Sequence, residues 1–179
     1  MPAADLSIRL ATEADLPALR ALMNRAIGEL QGAFLDPDQV AASYDIMGLD
    51  TQLVADRTYF VVEVGGALAG CGGWSRRATL FGGDHTAGRD AALLDPVQEA
   101  ARIRAMYTHP DFTRRGVGRL IIETCEAAAA GEGFTRCEMA ATLAGEPLYR
   151  SCGYALIEPF DGVTASGARV PLKRMGKAI

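Results

Sequence analysis

The stretch ARIRAMYTHPDFTRRGVGRLIIETCEAAAAGEG, residues 101–133, constrains the fold more than any other part of the chain. Its first part alternates, with Ile103, Ala105 and Tyr107 on one side and Arg102, Arg104 and Met106 on the other, which predicts a strand. His109-Pro110 ends that strand. Val117 to Ala130 is rich in Ala, Leu, Ile and Glu and predicts a helix that stops at Gly131 and Gly133. The order is strand, glycine turn, helix.

That order makes an anion site. The first N–H groups of a helix have no partner within it, and the helix dipole adds partial positive charge at the same end. Gly116 and Gly118 let the backbone approach a ligand that a side chain would exclude, and Arg114, Arg115 and Arg119 add guanidinium forks suited to phosphate. Two nucleotide-binding patterns fail at specific positions. A dinucleotide loop needs a third glycine where Ile121 stands, and a P-loop needs Lys and Ser or Thr where Arg119 and Leu120 stand.

Of the 179 residues, 49% are hydrophobic and the charged ones are mixed among them, as in folded globular chains. A single domain over residues 1–179 is expected. The net charge of −4 argues against a nucleic-acid partner, which calls for a basic face. The N-terminal MPAADLSIRLATEADL has acids from Asp5 onward and no apolar core of signal-peptide length. No apolar run approaches a membrane span, so a cytoplasmic protein without a membrane partner is expected. Cys71, Cys125, Cys137 and Cys152 form no C-x-x-C pair, and His85 and His109 are the only histidines. Four reduced, buried thiols and no metal site follow as expectations.

Elsewhere, SIRLAT reads as a strand and Thr12 to Asp15 as a capping box that opens a helix with Leu16, Leu19, Leu22, Met23, Ala26, Ile27 and Leu30 on one face. A second helix starts near Pro37. Tyr59–Val64 and Ala67–Trp74 form a hairpin about Gly65-Gly66. Ser75 to Ala100 is long, Gly-rich and charged, the pattern of a functional or mobile connection. FTRCEMAA is a strand, GEPLYRSCG a short helix, and YALIEPF and ARVPLKRM a closing pair of strands.

The segment MYTHPDFTRRGVGRLIIE, followed after a strand by LYRSCGY, resembles the GNAT superfamily of acyl-CoA-dependent N-acyltransferases. Its members carry a Q/R-x-x-G-x-G/A loop whose N–H groups bind the pyrophosphate of coenzyme A. Here the Q/R position falls on Thr113, with Arg114 beside it. The resemblance runs from about Ile8 to Met175. It implies an α/β (α+β) fold, a mixed and mostly antiparallel twisted sheet of about six to seven strands flanked by about four helices.

It also implies an N-acetyltransferase that moves an acetyl group from acetyl-CoA to a primary amine by direct attack in a ternary complex, without metal. Pantetheine would lie along Met106, Tyr107 and Thr108, and the N–H of Met106 or Tyr107 would face the developing oxyanion. Arg114, Arg115, Gly116, Val117, Gly118 and Arg119 would hold the pyrophosphate. Tyr149 occupies the family's general-acid position, and a phenol of pKa near 10 can protonate a thiolate whose acid is near 8.5. Tyr154 reads as core.

A family glutamate that serves some members as base falls on Arg102, leaving Glu99, Glu63, His109 or ordered water. Acceptor choice is expected from the N-terminal helices and the 75–100 segment, whose acids would attract an ammonium group. The acceptor is expected to be a small molecule. A protein amine, a non-catalytic acyl-CoA sensor and a homodimer stay open.

Overall fold

The computed structural model describes residues 5–179 and contains seven strands and five α-helices. Strand β1 (Leu6–Leu10) leads through a 3-10 turn (Glu13–Asp15) to α1 (Leu16–Leu30), then α2 (Pro37–Ile46) and α3 (Thr51–Ala55). The capping box at Thr12 is present, with Asp15 Oδ2 accepting from Thr12 N at 2.7 Å. Asp36 and Gln39 form a second box ahead of α2, and Pro37 occupies the first turn, where its missing N–H costs nothing. The short α3 has no counterpart in the sequence pattern; Asp50 caps it by accepting from Gln52 N at 3.0 Å.

β2 (Tyr59–Val64) and β3 (Ala67–Ser75) form the hairpin, and β4 (Ala101–Thr108) precedes α4 (Val117–Gly131). β5 (Arg136–Thr142), α5 (Glu146–Ser151), β6 (Ala155–Val163) and β7 (Arg169–Ala178) complete the chain. The sheet order is β1-β2-β3-β4-β5-β7-β6, antiparallel at every pair except β4–β5. A parallel neighbour requires a crossover, and α4 provides it.

Both faces of the sheet are covered. Ile121, Ile122 and Cys125 of α4 pack on Val62, Ala69 and Ile103, whereas Leu19, Met23 and Ile27 of α1 pack on Val61, Cys71 and Tyr107 on the other face. This explains the continuous apolar run in β2, where adjacent valines feed opposite cores. All four cysteines are unpaired and buried. Among the described residues, no helix is long and apolar enough to cross a membrane.

Two expectations change. Ile103 and Tyr107 lie on opposite faces because Ala105 adopts a left-handed φ of 49° and the β3–β4 register slips between Cys71 and Gly73. This bulge resets the alternation. The 75–100 segment is tied down rather than loose: Ala78 N bonds Ala92 O at 2.9 Å, Thr79 N bonds Asp90 O at 2.8 Å, and Leu94 N bonds Arg76 O at 2.8 Å. Its arginines pair as well, Arg76 with Glu132, Arg77 with Asp56 and Arg89 with Asp50.

Candidate active site

β4 and β5 are paired only at Ala101–Cys137 and Arg102–Glu138. Beyond those residues the strands part, and the gap opens into a cavity of about 730 Å³ between the end of α1, β4, β5, the start of α4 and α5. The β4 bulge decides which backbone groups face it. His109 N donates to Ala69 O at 2.9 Å, so alternation along the antiparallel pair turns Tyr107 towards Cys71 of β3. Met106 and Thr108 therefore turn their N–H groups away from β3, towards the gap. The Tyr107 side chain is used elsewhere, its hydroxyl accepting from Gly48 N at 2.8 Å.

At one end of the cavity stands the first turn of α4. Gly116 at the N-cap is left-handed (φ 86°, ψ 1°), a conformation that glycine adopts without strain, and no side chain caps the helix. The preceding Arg114 is also left-handed (φ 64°), which is uncommon for a residue with a Cβ. Of the residues expected to bind coenzyme A, Met106, Tyr107, Thr108, Arg114, Gly116, Val117, Gly118 and Arg119 line this cavity. Arg115 does not; its guanidinium lies over the Phe112 ring, 5.3 Å from the centroid.

The three arginines thus differ. Arg119 Nη2 donates to the backbone O and Oγ of Ser151 at 3.1 and 3.2 Å. A Cβ on Gly118 would also overlap the Leu148 side chain, so its smallness serves the packing of α5 on α4 as well.

Tyr149, in α5, is buried and lines the cavity, its ring lying against Gly145. Its ring meets Tyr154 edge-on, with centroids 6.4 Å apart. Burial raises the Tyr149 phenol above its ordinary pKa. No carboxylate or imidazole lines the cavity among the described residues. Glu63 pairs with Arg9 at 3.0 Å, Glu99 accepts from Asp95 N at 2.7 Å, and Arg102 binds Glu138 at 3.0 Å. His109 sits between Arg25 Nη1 at 2.9 Å and the N–H of Asp111 at 3.2 Å.

The opposite end of the cavity is built by Leu30, Gln31, Phe34, Ile46, Phe81 and Leu172, and only Leu80, Phe81 and Gly82 come from the 75–100 segment. The acids of that segment do not reach it. Asp84 accepts from Thr51 N and Oγ1 at 3.0 and 3.1 Å, Asp90 from Ala92 N at 2.9 Å, and Asp95 from Val97 N at 2.9 Å. Arg104 lines the cavity while Asp50, itself 2% exposed, takes a hydrogen bond from Arg104 Nη2 at 3.0 Å and forms an ion pair with Arg89 Nη2 at 2.6 Å; Arg89 also pairs with Asp84 at 3.6 Å.

A family model of the acetyltransferase (GNAT) domain matches residues 55–156. The chain belongs to the GNAT family. Solved GNAT structures agree in fold. A GCN5-related N-acetyltransferase from Rhodopseudomonas palustris is 18% identical with a TM-score of 0.73, covering 100% of this chain and 99% of that one. The PaiA N-acetyltransferase of Thermoplasma acidophilum, solved with coenzyme A, is 11% identical with a TM-score of 0.65 over 98% and 99%. YncA of Salmonella typhimurium, solved with acetyl-CoA, is 18% identical with a TM-score of 0.64 over 98% and 94%. The comparison with curated protein sequences gives no match.

Sequence reasoning missed two features in and beside this cavity. Gln31 sits in a 3-10 turn directly after α1, and a glutamine at a helix end gives no sequence signal that it is buried. The Asp50–Arg89–Arg104 cluster joins three distant segments. Arg104 lies in a strand that also carries Arg102, and nothing in the sequence marks it as the buried one.

Proposed function

We propose that this GNAT protein transfers an acetyl group from acetyl-CoA to a primary amine in a ternary complex. The observation that carries this is the shared opening: the uncapped first turn of α4 and the outward N–H groups of Met106 and Thr108 face one cavity. The helix turn suits a pyrophosphate and the free strand backbone suits the amide-bearing pantetheine arm, with Arg114 adding charge at the mouth. The Met106 N–H is the better placed of the two expected donors for an oxyanion, because Tyr107 faces β3. Acetyl transfer forms a C–N bond as the C–S bond breaks. Tyr149 is the protic group assigned to the departing thiolate, and the amine proton leaves through water.

The cavity lacks a carboxylate or imidazole base, and that observation also favours a second reading, acyl-CoA binding without turnover. Calorimetric titration with acetyl-CoA, followed by release of free thiol with an amine panel, tests both. Binding with amine-dependent thiol release supports transfer. Binding without release supports the sensor, and no binding removes both.

A further inference from the structure

The end of the cavity away from α4 has a composition that discriminates among amines. Leu30, Phe34, Ile46, Phe81 and Leu172 supply its walls, and the Phe81 ring is backed by Phe160 with centroids 5.9 Å apart. Gln31, only 4% exposed, lies among them; its Nε2 has a distant contact with Met47 Sδ at 3.9 Å, and its Oε1 has no hydrogen-bond partner among the described residues. A buried carbonyl oxygen without a donor is unusual in a folded chain and is relieved when a donor arrives.

Charge points the same way. The cavity lining contains Arg104, Arg114 and Arg119 and no acidic side chain. Arg104 pairs with Asp50, and Arg89 with both Asp50 and Asp84, so this cluster balances its own charges and offers the cavity no free carboxylate. A molecule bearing a second ammonium group would lose water there and find no free counter-ion.

We infer that the acceptor is a monoamine with an apolar body, and that Gln31 Oε1 accepts a hydrogen bond from the reacting amine, which makes Gln31 a specificity residue. This rests on the acetyl-transfer reading above. Polyamines, aminoglycosides and lysine-rich segments are disfavoured acceptors on the same grounds.

The test compares 2-phenylethylamine with spermidine and an aminoglycoside, by transfer from acetyl-CoA and, separately, by direct calorimetric binding of each amine. The expected result is a kcat/KM at least about tenfold higher for 2-phenylethylamine. Gln31→Leu, close in volume, should raise the KM for that amine about tenfold while kcat and the Kd for acetyl-CoA stay within about twofold. Gln31→Glu should move the preference towards spermidine. Phe34→Ala, at the rim, should weaken the amine without disturbing the fold, because Phe34 is 49% exposed. Equal or better use of spermidine, or an unchanged KM in Gln31→Leu, overturns the inference. If no amine is acetylated, the transfer reading falls and the binding arm decides this one: 2-phenylethylamine bound by the native protein and lost in Gln31→Leu upholds the pocket, and no such binding refutes it.

Discussion

The side chain of Leu148 in α5 stands where a Cβ on Gly118 of α4 would have to be. Gly118→Ala should therefore destabilise the protein by about 1–3 kcal/mol through overpacking. Combining it with Leu148→Ala should cost less than the two separate losses added together. Urea unfolding of the double-mutant cycle measures the coupling, and strict additivity would break the link between the two residues.

Tyr149→Phe separates chemistry from binding. The hydroxyl is assigned to the departing thiolate, whereas the ring packs against Tyr154. Turnover should fall about 100-fold, in the range of a lost general acid, with the Kd for acetyl-CoA and the Tm nearly unchanged. A native rate in the variant would make Tyr149 a packing residue.

Arg114 differs from its neighbours in lining the cavity with no hydrogen-bond partner among the described residues, whereas Arg115 stacks on Phe112 and Arg119 holds Ser151. Arg114→Glu should raise the Kd for acetyl-CoA about tenfold or more, with a reduced dependence on salt. The same change at Arg115 should have a smaller effect. Equal effects would mean that general surface charge, not position, governs donor binding.

Asp50 holds two buried or half-buried guanidiniums and caps α3. Asp50→Asn keeps the cap and removes the charge, leaving the buried Arg104 without its carboxylate and Arg89 with only the more exposed Asp84. A loss of about 3–5 kcal/mol is expected in urea unfolding, the scale for a buried ion pair stripped of one partner. A loss below about 1 kcal/mol would show that the cluster is already served by water.

Stability should decline at both ends of the pH scale. The Arg77 guanidinium beside Asp56 and the Lys173 ammonium beside Glu146 hold those carboxyls below their ordinary pKa. Their stabilisation is present above about pH 4 and is lost as pH falls through the folded values. Burial pushes the thiols of Cys71 and Cys137 up to about 12. The unfolded chain ionises near the ordinary thiol pKa of about 8.5 while the native one does not, so stability falls between about pH 9 and 12. Urea midpoints across pH test the curve, and Asp56→Asn should flatten its acid limb.

The strands, the two longer helices and the order of elements were legible because each carries its period in the chain, as in Leu19, Met23 and Ile27 or in the Gly65-Gly66 hairpin. The α4 turn was legible for the same local reason. The left-handed Ala105 was not, since alanine gives no sign of a positive φ, and with it went the correct faces of Ile103 and Tyr107. The packing of Leu148 against Gly118 was not legible, because sequence shows that a side chain is missing but not what lies beside it. The charges of the 75–100 segment were read as free because their partners, Asp56, Glu132 and Asp50, lie in other parts of the chain.

Two residue pairs, Ala101–Cys137 and Arg102–Glu138, make the whole lateral join between the four strands β1 to β4 and the three strands β5, β7 and β6. Along the rest of β4 one edge of backbone is a strand without a neighbour. A guest whose amide groups bond there acts as a splint across an unfinished seam. Backbone amides of Met106 and Thr108 should then exchange hydrogen with solvent more slowly when the splint is in place, and the two halves of the sheet should stiffen together.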